Sequence, residues 1–195
     1  MGKRPFDAEL AIDQAVQVFW EKGYGETSMR DLVKATGLCR YRMYSTFGSK
    51  HGLFIKALDR YQKLFVQDAV SVMDKPDASL PQLMAFFDAL KAMSETEQGQ
   101  MGCFICNTAT ELATRDDQLA DMVQAFYQHK QNIYATLFAN AKRKGELRSD
   151  LAPEEAAVLV NATIQGLAVL SRAGTPLEEL SGSINALFTM LMPAK

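Results

Sequence analysis

Long hydrophobic runs are absent from this chain of 195 residues. No uninterrupted apolar stretch approaches the roughly 18 residues that a transmembrane helix needs, and no signal-peptide pattern opens the sequence. Both absences argue against a membrane protein and against a secreted one. We therefore expect a cytoplasmic protein without a membrane partner.

Cysteine and histidine are scarce, with three and two copies respectively. A small odd number of cysteines predicts no disulfide framework. The sequence also shows no Ser-His-Asp arrangement, glycine-rich phosphate loop or paired His-Glu metal motif. We expect neither an enzyme nor a protein with a bound metal or cofactor. One alternative is a small helical enzyme with Cys103 or Cys106 as its nucleophile and His129 as its base.

Alternating patterns that demand a β-strand are missing as well. Apolar residues instead recur three and four positions apart in about nine segments, which predicts an all-α fold. Charge is unevenly placed along the chain. Residues 1–60 hold ten basic and seven acidic side chains, whereas residues 61–195 hold eleven and sixteen. A slightly basic front and an acidic rear are typical of a DNA-binding module joined to a different domain.

The stretch from Thr27 to Lys50 predicts two short helices joined by a tight turn at Gly37. The second helix should run from about Cys39 to Phe47, with Met43 and Phe47 on one face. Its other side chains are long, polar or hydrogen-bonding: Arg40, Tyr41, Arg42, Tyr44, Ser45 and Thr46. Such side chains suit a DNA major groove, because arginine reads guanine edges and hydroxyls reach phosphates. A plain amphipathic helix pair with a solvated basic face is the alternative.

Residues 37–54, G-L-C-R-Y-R-M-Y-S-T-F-G-S-K-H-G-L-F, resemble the DNA-binding signature of the TetR (tetracycline-repressor-like) family. The shared features are the turn glycine, the Tyr44 and Phe47 pair, and the Gly48-Ser49-Lys50 segment. Upstream residues also match the family's first helix and the entry to its second: Ala15, Phe19, Gly23, Tyr24, Thr27 and Ser28. The resemblance covers about the first 60 residues.

This resemblance implies a three-helix helix-turn-helix DNA-binding domain at residues 1–50. A larger helical domain at residues 51–195 would bind an effector and form a homodimer. The implied function is a sequence-specific transcriptional regulator, most simply a repressor that a small-molecule effector releases from palindromic operator DNA; an activator is the alternative. The implied DNA-binding residues are Thr27, Ser28, Arg40, Tyr41, Arg42, Tyr44, Ser45, Thr46 and Lys50.

Within that set, we expect Arg40 and Arg42 to contact base edges, and Tyr41 to contact either a base or a sugar. Thr27, Tyr44, Thr46 and Lys50 would contact phosphates. The family usually has smaller residues at positions 41 and 42, so the DNA sequence that this helix reads is open.

Residues 103–114, C-F-I-C-N-T-A-T-E-L-A-T, predict a helix with an unusual polar stripe. A few convergent polar groups among apolar neighbours are typical of a ligand pocket. Core packing and helix bridging are the alternative for each of these side chains. The predicted effector pocket comprises Phe65, Phe86, Phe87, Met101, Cys103, Cys106, Asn107, Thr110, Glu111, Phe126, His129 and Tyr134.

The Cys103 and Cys106 pair admits three interpretations. The two thiols could be small buried helix residues. They could instead sense an oxidant or electrophile, which would make the protein a thiol-based redox-sensing repressor. Half of a zinc site is the third interpretation, although His129 is the only further ligand expected near them.

The last two predicted helices, at about residues 153–172 and 176–192, are apolar on more than one face. A surface helix needs only one apolar stripe, so the surplus predicts a four-helix seam between two copies of the chain. Ala157, Gly166 and Ala173 are small enough for close approach. A central position in a monomer is the alternative.

Overall fold

The computed structural model describes residues 7–65 and 69–194, and these ranges hold ten helices and no strand. The predicted all-α fold is therefore confirmed. None of the helices in these ranges combines the length and the apolar composition that crossing a membrane requires. The helices are α1 (Ala8–Glu26), α2 (Met29–Thr36), α3 (Arg40–Phe47), α4 (Lys50–Phe65), α5 (Leu80–Ser94), α6 (Glu97–Gln100), α7 (Phe104–Leu112), α8 (Asp117–Arg143), α9 (Pro153–Arg172) and α10 (Leu177–Leu191).

The short helix α6 accounts for the difference from the nine helices that the sequence predicted. In the sequence, Gly99 and Gly102 predict the two ends of a break between helices. The Thr96 hydroxyl instead accepts a hydrogen bond from Gly99 N at 3.1 Å, and this N-cap starts a single turn. One turn is too short to show a periodic apolar pattern, so sequence analysis could not detect it.

Local sequence signals determine the ends of α2 and α3. Ser28 and Asp31 form a capping box, in which Asp31 N donates to Ser28 Oγ at 3.1 Å and Ser28 N donates to Asp31 Oδ2 at 2.9 Å. Gly37 ends α2 in the left-handed conformation, with φ +66°, and its N–H donates to Val33 O. The predicted helix pair and its turn are therefore present.

Buried apolar residues form two clusters. The front cluster joins α1 to α4, through Phe19, Leu32 and Phe54, with side chains of α7 and α8, including Phe104 and Phe126. The rear cluster joins α5, α8, α9 and α10. Because the front cluster continues past residue 50 into α7 and α8, helices α1 to α4 pack directly against helices that follow them in the chain. A domain boundary at residue 50 stays a prediction.

Candidate DNA interface and effector cavity

Helix α3 has one buried side and a wide exposed side. Met43 is 2% exposed and packs into the front cluster, and Phe47 is partly buried against it. These two anchors, four positions apart, determine which way the helix faces. Tyr41 is 83% exposed and Tyr44 is 49% exposed. The other exposed residues of this side are Arg40, Arg42, Ser45 and Thr46. The structure thus brings six predicted DNA-binding residues onto one outward surface, which we call the α3 face.

Thr27 and Ser28 have local roles that differ from the predicted ones. Thr27 is 1% exposed, and its hydroxyl donates to Gly23 O at 2.6 Å. A buried hydroxyl that is already bonded at the end of α1 cannot face a phosphate, which corrects the prediction for the Thr27 side chain. Ser28 is exposed, but its hydroxyl belongs to the capping box of α2.

Lys50 lies at the start of α4, beside the α3 face. It is partly buried, and its Nζ is 4.3 Å from the centroid of the Tyr24 ring. Burial lowers the pKa of Lys50 below its usual value, and the nearby carboxylates of Glu111 and Glu26 oppose that change. The contact with an aromatic face holds this ammonium at the edge of the α3 face.

Glu111 joins α7 to the end of α1. Its carboxylate accepts hydrogen bonds from Tyr24 N at 3.0 Å and from Gly25 N at 2.6 Å. The approach needs Gly23, whose φ of +80° interrupts the helical backbone and whose added Cβ would lie 2.8 Å from Glu111 Oε2. The structure therefore places Glu111 at a contact between α7 and α1, and not in the pocket where the sequence predicted it.

A second polar contact joins α4 to the start of α8. His51 Nε2 lies 2.6 Å from Asp116 Oδ2, and Asp116 Oδ1 accepts from Leu119 N at 3.1 Å as the N-cap of α8. The backbone hydrogen bond from Leu119 and the contact with His51 hold the pKa of Asp116 below its usual value. Helices α1 and α4 thus contact α7 and the start of α8, respectively, through side chains.

An apolar cavity of about 80 Å³ is lined by residues of the seven helices α4 to α10. Of the predicted pocket residues, it contains Phe65, Cys103 and Cys106 in its wall. The wall also contains Tyr127, and it contains polar residues that sequence analysis missed, namely Tyr61, Lys91, Ser94, Lys130, Gln165 and Ser171. We call this space the effector cavity. A second cavity of about 380 Å³ shares Tyr61 and Phe65 with it and is also lined by Phe86.

The two thiols of the cavity wall are hydrogen-bonded to tyrosines. Tyr61 Oη lies 3.8 Å from Cys103 Sγ, and Tyr127 Oη donates to Cys106 Sγ at 3.3 Å. A hydrogen bond from Cys106 and the positive charge of Lys130 lower the pKa of Cys103, although burial opposes this. The hydrogen bond with Cys103 and burial raise the pKa of Cys106. The two thiols are therefore chemically unequal.

Several other predicted pocket residues lie away from the cavity. Asn107 Nδ2 donates to Met101 O at 3.1 Å, and Thr110 Oγ1 donates to Cys106 O at 3.2 Å. The polar groups of these two side chains are therefore hydrogen-bonded to nearby backbone carbonyls, which is common for such side chains. His129 is exposed, and Phe87 packs against Phe188 in the rear cluster with ring centroids 5.4 Å apart.

Three remaining members of the prediction lie near the cavity without lining it. Met101 packs against the front cluster. The rings of Phe126 and Tyr134 have centroids 5.5 and 5.7 Å from Lys130 Nζ. Lys130 occupies a position in the apolar stripe of α8, four after Phe126 and three before Ile133. A lysine in such a stripe was the signal that could have identified it.

The outward sides of α9 and α10 expose large apolar side chains. Val158 and Val169 are each 51% exposed, Leu170 is 44% exposed and Met190 is 56% exposed. Gly166 and Ala173 are exposed on the same two-helix layer, whereas Ala157 is fully buried within the subunit. We call the exposed apolar residues of α9 and α10 the α9–α10 surface.

Within residues 7–65 and 69–194, no three His, Cys, Asp or Glu side chains converge in a way that could hold a metal ion. Cys39, at the N-cap of α3, is exposed and far along the chain from the other two cysteines.

Comparisons with known proteins match both parts of the chain. Residues 11–57 match the family described as bacterial regulatory proteins, tetR family, and residues 79–186 match the tetracyclin repressor-like C-terminal domain. The HTH-type transcriptional repressor ComR of Escherichia coli (strain K12) is 29% identical over 176 residues, which cover 90% of this chain and 84% of ComR.

Solved structures agree over nearly the whole chain. A TetR transcriptional regulator from Chloroflexus aurantiacus J-10-FL has a TM-score of 0.81 at 26% identity, covering 93% of this chain and 91% of that one. A cysteine-substituted form of the regulator CifR, solved with 26-base-pair operator DNA, has a TM-score of 0.84 at 22% identity. That match covers 98% of this chain and 100% of the CifR chain, and at this identity it shows the fold.

Proposed function

Because this chain belongs to the TetR family of bacterial regulatory proteins, we propose that it is a cytoplasmic transcriptional repressor released from operator DNA by a small-molecule effector. Its similarity to the repressor ComR over 90% of the chain supports repression over activation. The relatives are regulators, and we propose no catalytic activity for this protein.

The α3 face is the observation that carries the DNA-binding role. Burial of Met43 turns two arginines, two tyrosines and two hydroxyl residues outward on a helix of only eight residues. A helix of this kind fits the major groove, where Arg40 and Arg42 would read base edges. Tyr44, Thr46 and Lys50 would contact phosphates and position the helix. Tyr41, as the most exposed aromatic residue, would contact a base or a sugar.

The test uses operator DNA that the wild-type protein selects from a random double-stranded pool. We expect Arg42→Ala to lose about 1–3 kcal/mol of discrimination at the base pairs that it reads. Lys50→Ala should weaken binding to all sequences alike and reduce the salt slope by about one. Both quantities follow from binding isotherms at several salt concentrations.

Lys63→Ala is the matched control, because Lys63 is an exposed lysine of the same helix as Lys50 and pairs with Asp59 at 2.7 Å. It should bind DNA as the wild type does. If Arg42→Ala and Lys50→Ala also bind selected and random DNA like the wild type, the α3 face is not the DNA interface.

We propose that two copies join through the α9–α10 surface. An exposed apolar layer with small residues in it suits a two-fold helical seam, because both copies present the same surface. A two-fold dimer would offer two α3 faces to the two halves of a palindrome.

Effector binding would shift the population between two arrangements of the dimer. Tyr61 of α4 and Cys103 at the start of α7 both line the effector cavity. Glu111 connects α7 to α1, and His51 connects α4 to the start of α8. A ligand that moves α7 or α8 would therefore change the separation of the two α3 faces. Half-sites about 34–36 Å apart tolerate little such change.

A further inference from the structure

Lys130 is a buried cation in an apolar cavity. It is 2% exposed and lies in the wall of the effector cavity. An ammonium group removed from water is strongly destabilising unless an anion or hydrogen-bond acceptors replace the water. Burial accordingly lowers the pKa of Lys130.

No carboxylate replaces that water in the part of the chain that the structure describes. The wall of the effector cavity contains no Asp or Glu, and Lys130 Nζ forms no ion pair or hydrogen bond among residues 7–65 and 69–194. Its nearest favourable contacts are the ring faces of Phe65, Phe126 and Tyr134, whose centroids lie 5.5–5.7 Å away. A cation–π contact is much weaker than a buried ion pair.

The two thiols lie in the same cavity wall as Lys130, and a Cys103 thiolate would favour the protonated form of Lys130 without a hydrogen bond to it. Cys103 and Cys106 hydrogen-bond with Tyr61 and Tyr127, and no hydrogen bond joins either sulfur to Lys130 Nζ. Tyr134 Oη, on the helix of Lys130, is a buried polar atom that has no hydrogen-bond partner. A polar ligand group in this part of the cavity would therefore meet an ammonium that has no hydrogen-bond partner among the described residues.

We propose that the effector cavity binds a small carboxylic acid, whose carboxylate pairs with Lys130 and whose apolar part contacts Phe65, Ile164 and Leu167. This inference rests on the proposed function and names the chemical class of the effector. A single cation matches a monoanion, whereas a phosphate dianion would leave one negative charge buried and unpaired. The apolar remainder of the wall supplies the contact for a short hydrocarbon or single-ring body.

The experiment measures binding of benzoate, phenylacetate and hexanoate to the full chain by calorimetry, each beside its neutral amide. We expect at least one acid to bind, and its amide to bind about tenfold more weakly or worse, because a charged hydrogen-bonded pair is lost. In Lys130→Met, the acid should lose that advantage over its amide.

Lys91→Met is the matched control. Lys91 also lines the effector cavity, but its ammonium already pairs with Asp88 at 3.2 Å. This variant should keep the preference for acids. Lys130→Gln, which keeps polarity without charge, replaces the methionine variant if that protein does not fold.

The proposal is overturned if none of the three acids binds, if acids and amides bind equally, or if Lys130→Met and Lys130→Gln keep the wild-type preference. Loss of acid binding in Cys103→Ser would also overturn it, since the thiol would then be the required group. The proposed function fails separately: a protein that binds an acid through Lys130 yet never binds DNA is not a repressor, whatever its cavity holds.

Discussion

Lys130 and Cys103 share one small apolar space, and each alters the chemistry of the other. The positive charge of Lys130 favours the Cys103 thiolate, and a Cys103 thiolate in turn favours protonated Lys130. Such mutual effects are stronger in the low dielectric of an apolar cavity than they would be in water. Sequence inspection selected Cys103 and Cys106 for their spacing, and it is the hydrogen bond between them that makes the two thiols unequal, because it lowers the pKa of Cys103 and raises that of Cys106.

We predict that the alkylation rate of Cys103 rises with pH around a midpoint below the ordinary thiol pKa of about 8.5. Because only the thiolate reacts, a lowered pKa moves the rate profile toward lower pH. Rates are measured with iodoacetamide and mass spectrometry in a Cys39→Ser background, which removes the exposed thiol.

Two comparisons control that measurement. Lys130→Met should move the Cys103 midpoint upward, since it removes a charge that stabilises the thiolate. Cys106 should stay nearly unmodified, because it is 6% exposed and its pKa is raised. An unchanged midpoint in Lys130→Met would show that Lys130 does not influence Cys103.

At the scale of helices, the end of α1 forms a contact that connects the helix-turn-helix to α7, which lines the effector cavity. The backbone turns out of the helix at Gly23, and the Glu111 carboxylate bonds to the two following N–H groups. Those groups lie four and three residues before Ser28, the N-cap of α2. A movement of α7 would therefore reach the helix-turn-helix through backbone hydrogen bonds.

We predict that Gly23→Ala lowers the free energy of unfolding by about 1–3 kcal/mol, because φ +80° with ψ 173° is a conformation that alanine adopts only with strain. The new Cβ would also displace the Glu111 carboxylate. Chemical denaturation at fixed protein concentration measures the first effect.

Gly182→Ala provides the comparison for Gly23→Ala. A Cβ at this helical position of α10 would meet nothing within 4 Å, so the substitution should be neutral or slightly stabilising. Equal stability of the Gly23→Ala and wild-type proteins would contradict the account of the α1 kink.

At the scale of the whole molecule, the proposed function needs both the α3 face and the α9–α10 surface. In our proposal, the α3 face would read one half-site, and the α9–α10 surface would place a second copy at a distance that suits the other half-site. Neither surface alone gives a response to an effector, since a single reading helix has no separation to change. The response that we propose therefore belongs to the dimer.

We predict that Val169→Asp converts the dimer to a monomer and lowers operator affinity by at least about tenfold, because a carboxylate would be buried in an apolar seam. Light scattering after size exclusion gives the mass, and binding isotherms give the affinity. Leu10→Asp places the same charge on an exposed apolar site of α1, where Leu10 is 48% exposed, and should stay dimeric. If the Val169→Asp protein keeps the dimeric mass of the wild type, the dimer interface does not include Val169.

The sequence by itself determined the helical class, the two short helices around Gly37 and the outward side of α3. These features depend on residues within about four positions of each other, so a local pattern contains them. Met43 and Phe47 are enough to show which side of α3 is buried, and therefore which side faces outward.

Only the tertiary structure decided the composition of the effector cavity and the contacts that connect it to α2. Tyr61 and Cys103 are 42 positions apart, and Tyr24 and Glu111 are 87 positions apart. A polar stripe on α7 looks the same in sequence whether it meets a ligand, its own backbone or another helix. Packing made that choice: it turned Glu111 toward α1, satisfied Asn107 and Thr110 on nearby carbonyls, and enclosed the ammonium of Lys130 among aromatic rings.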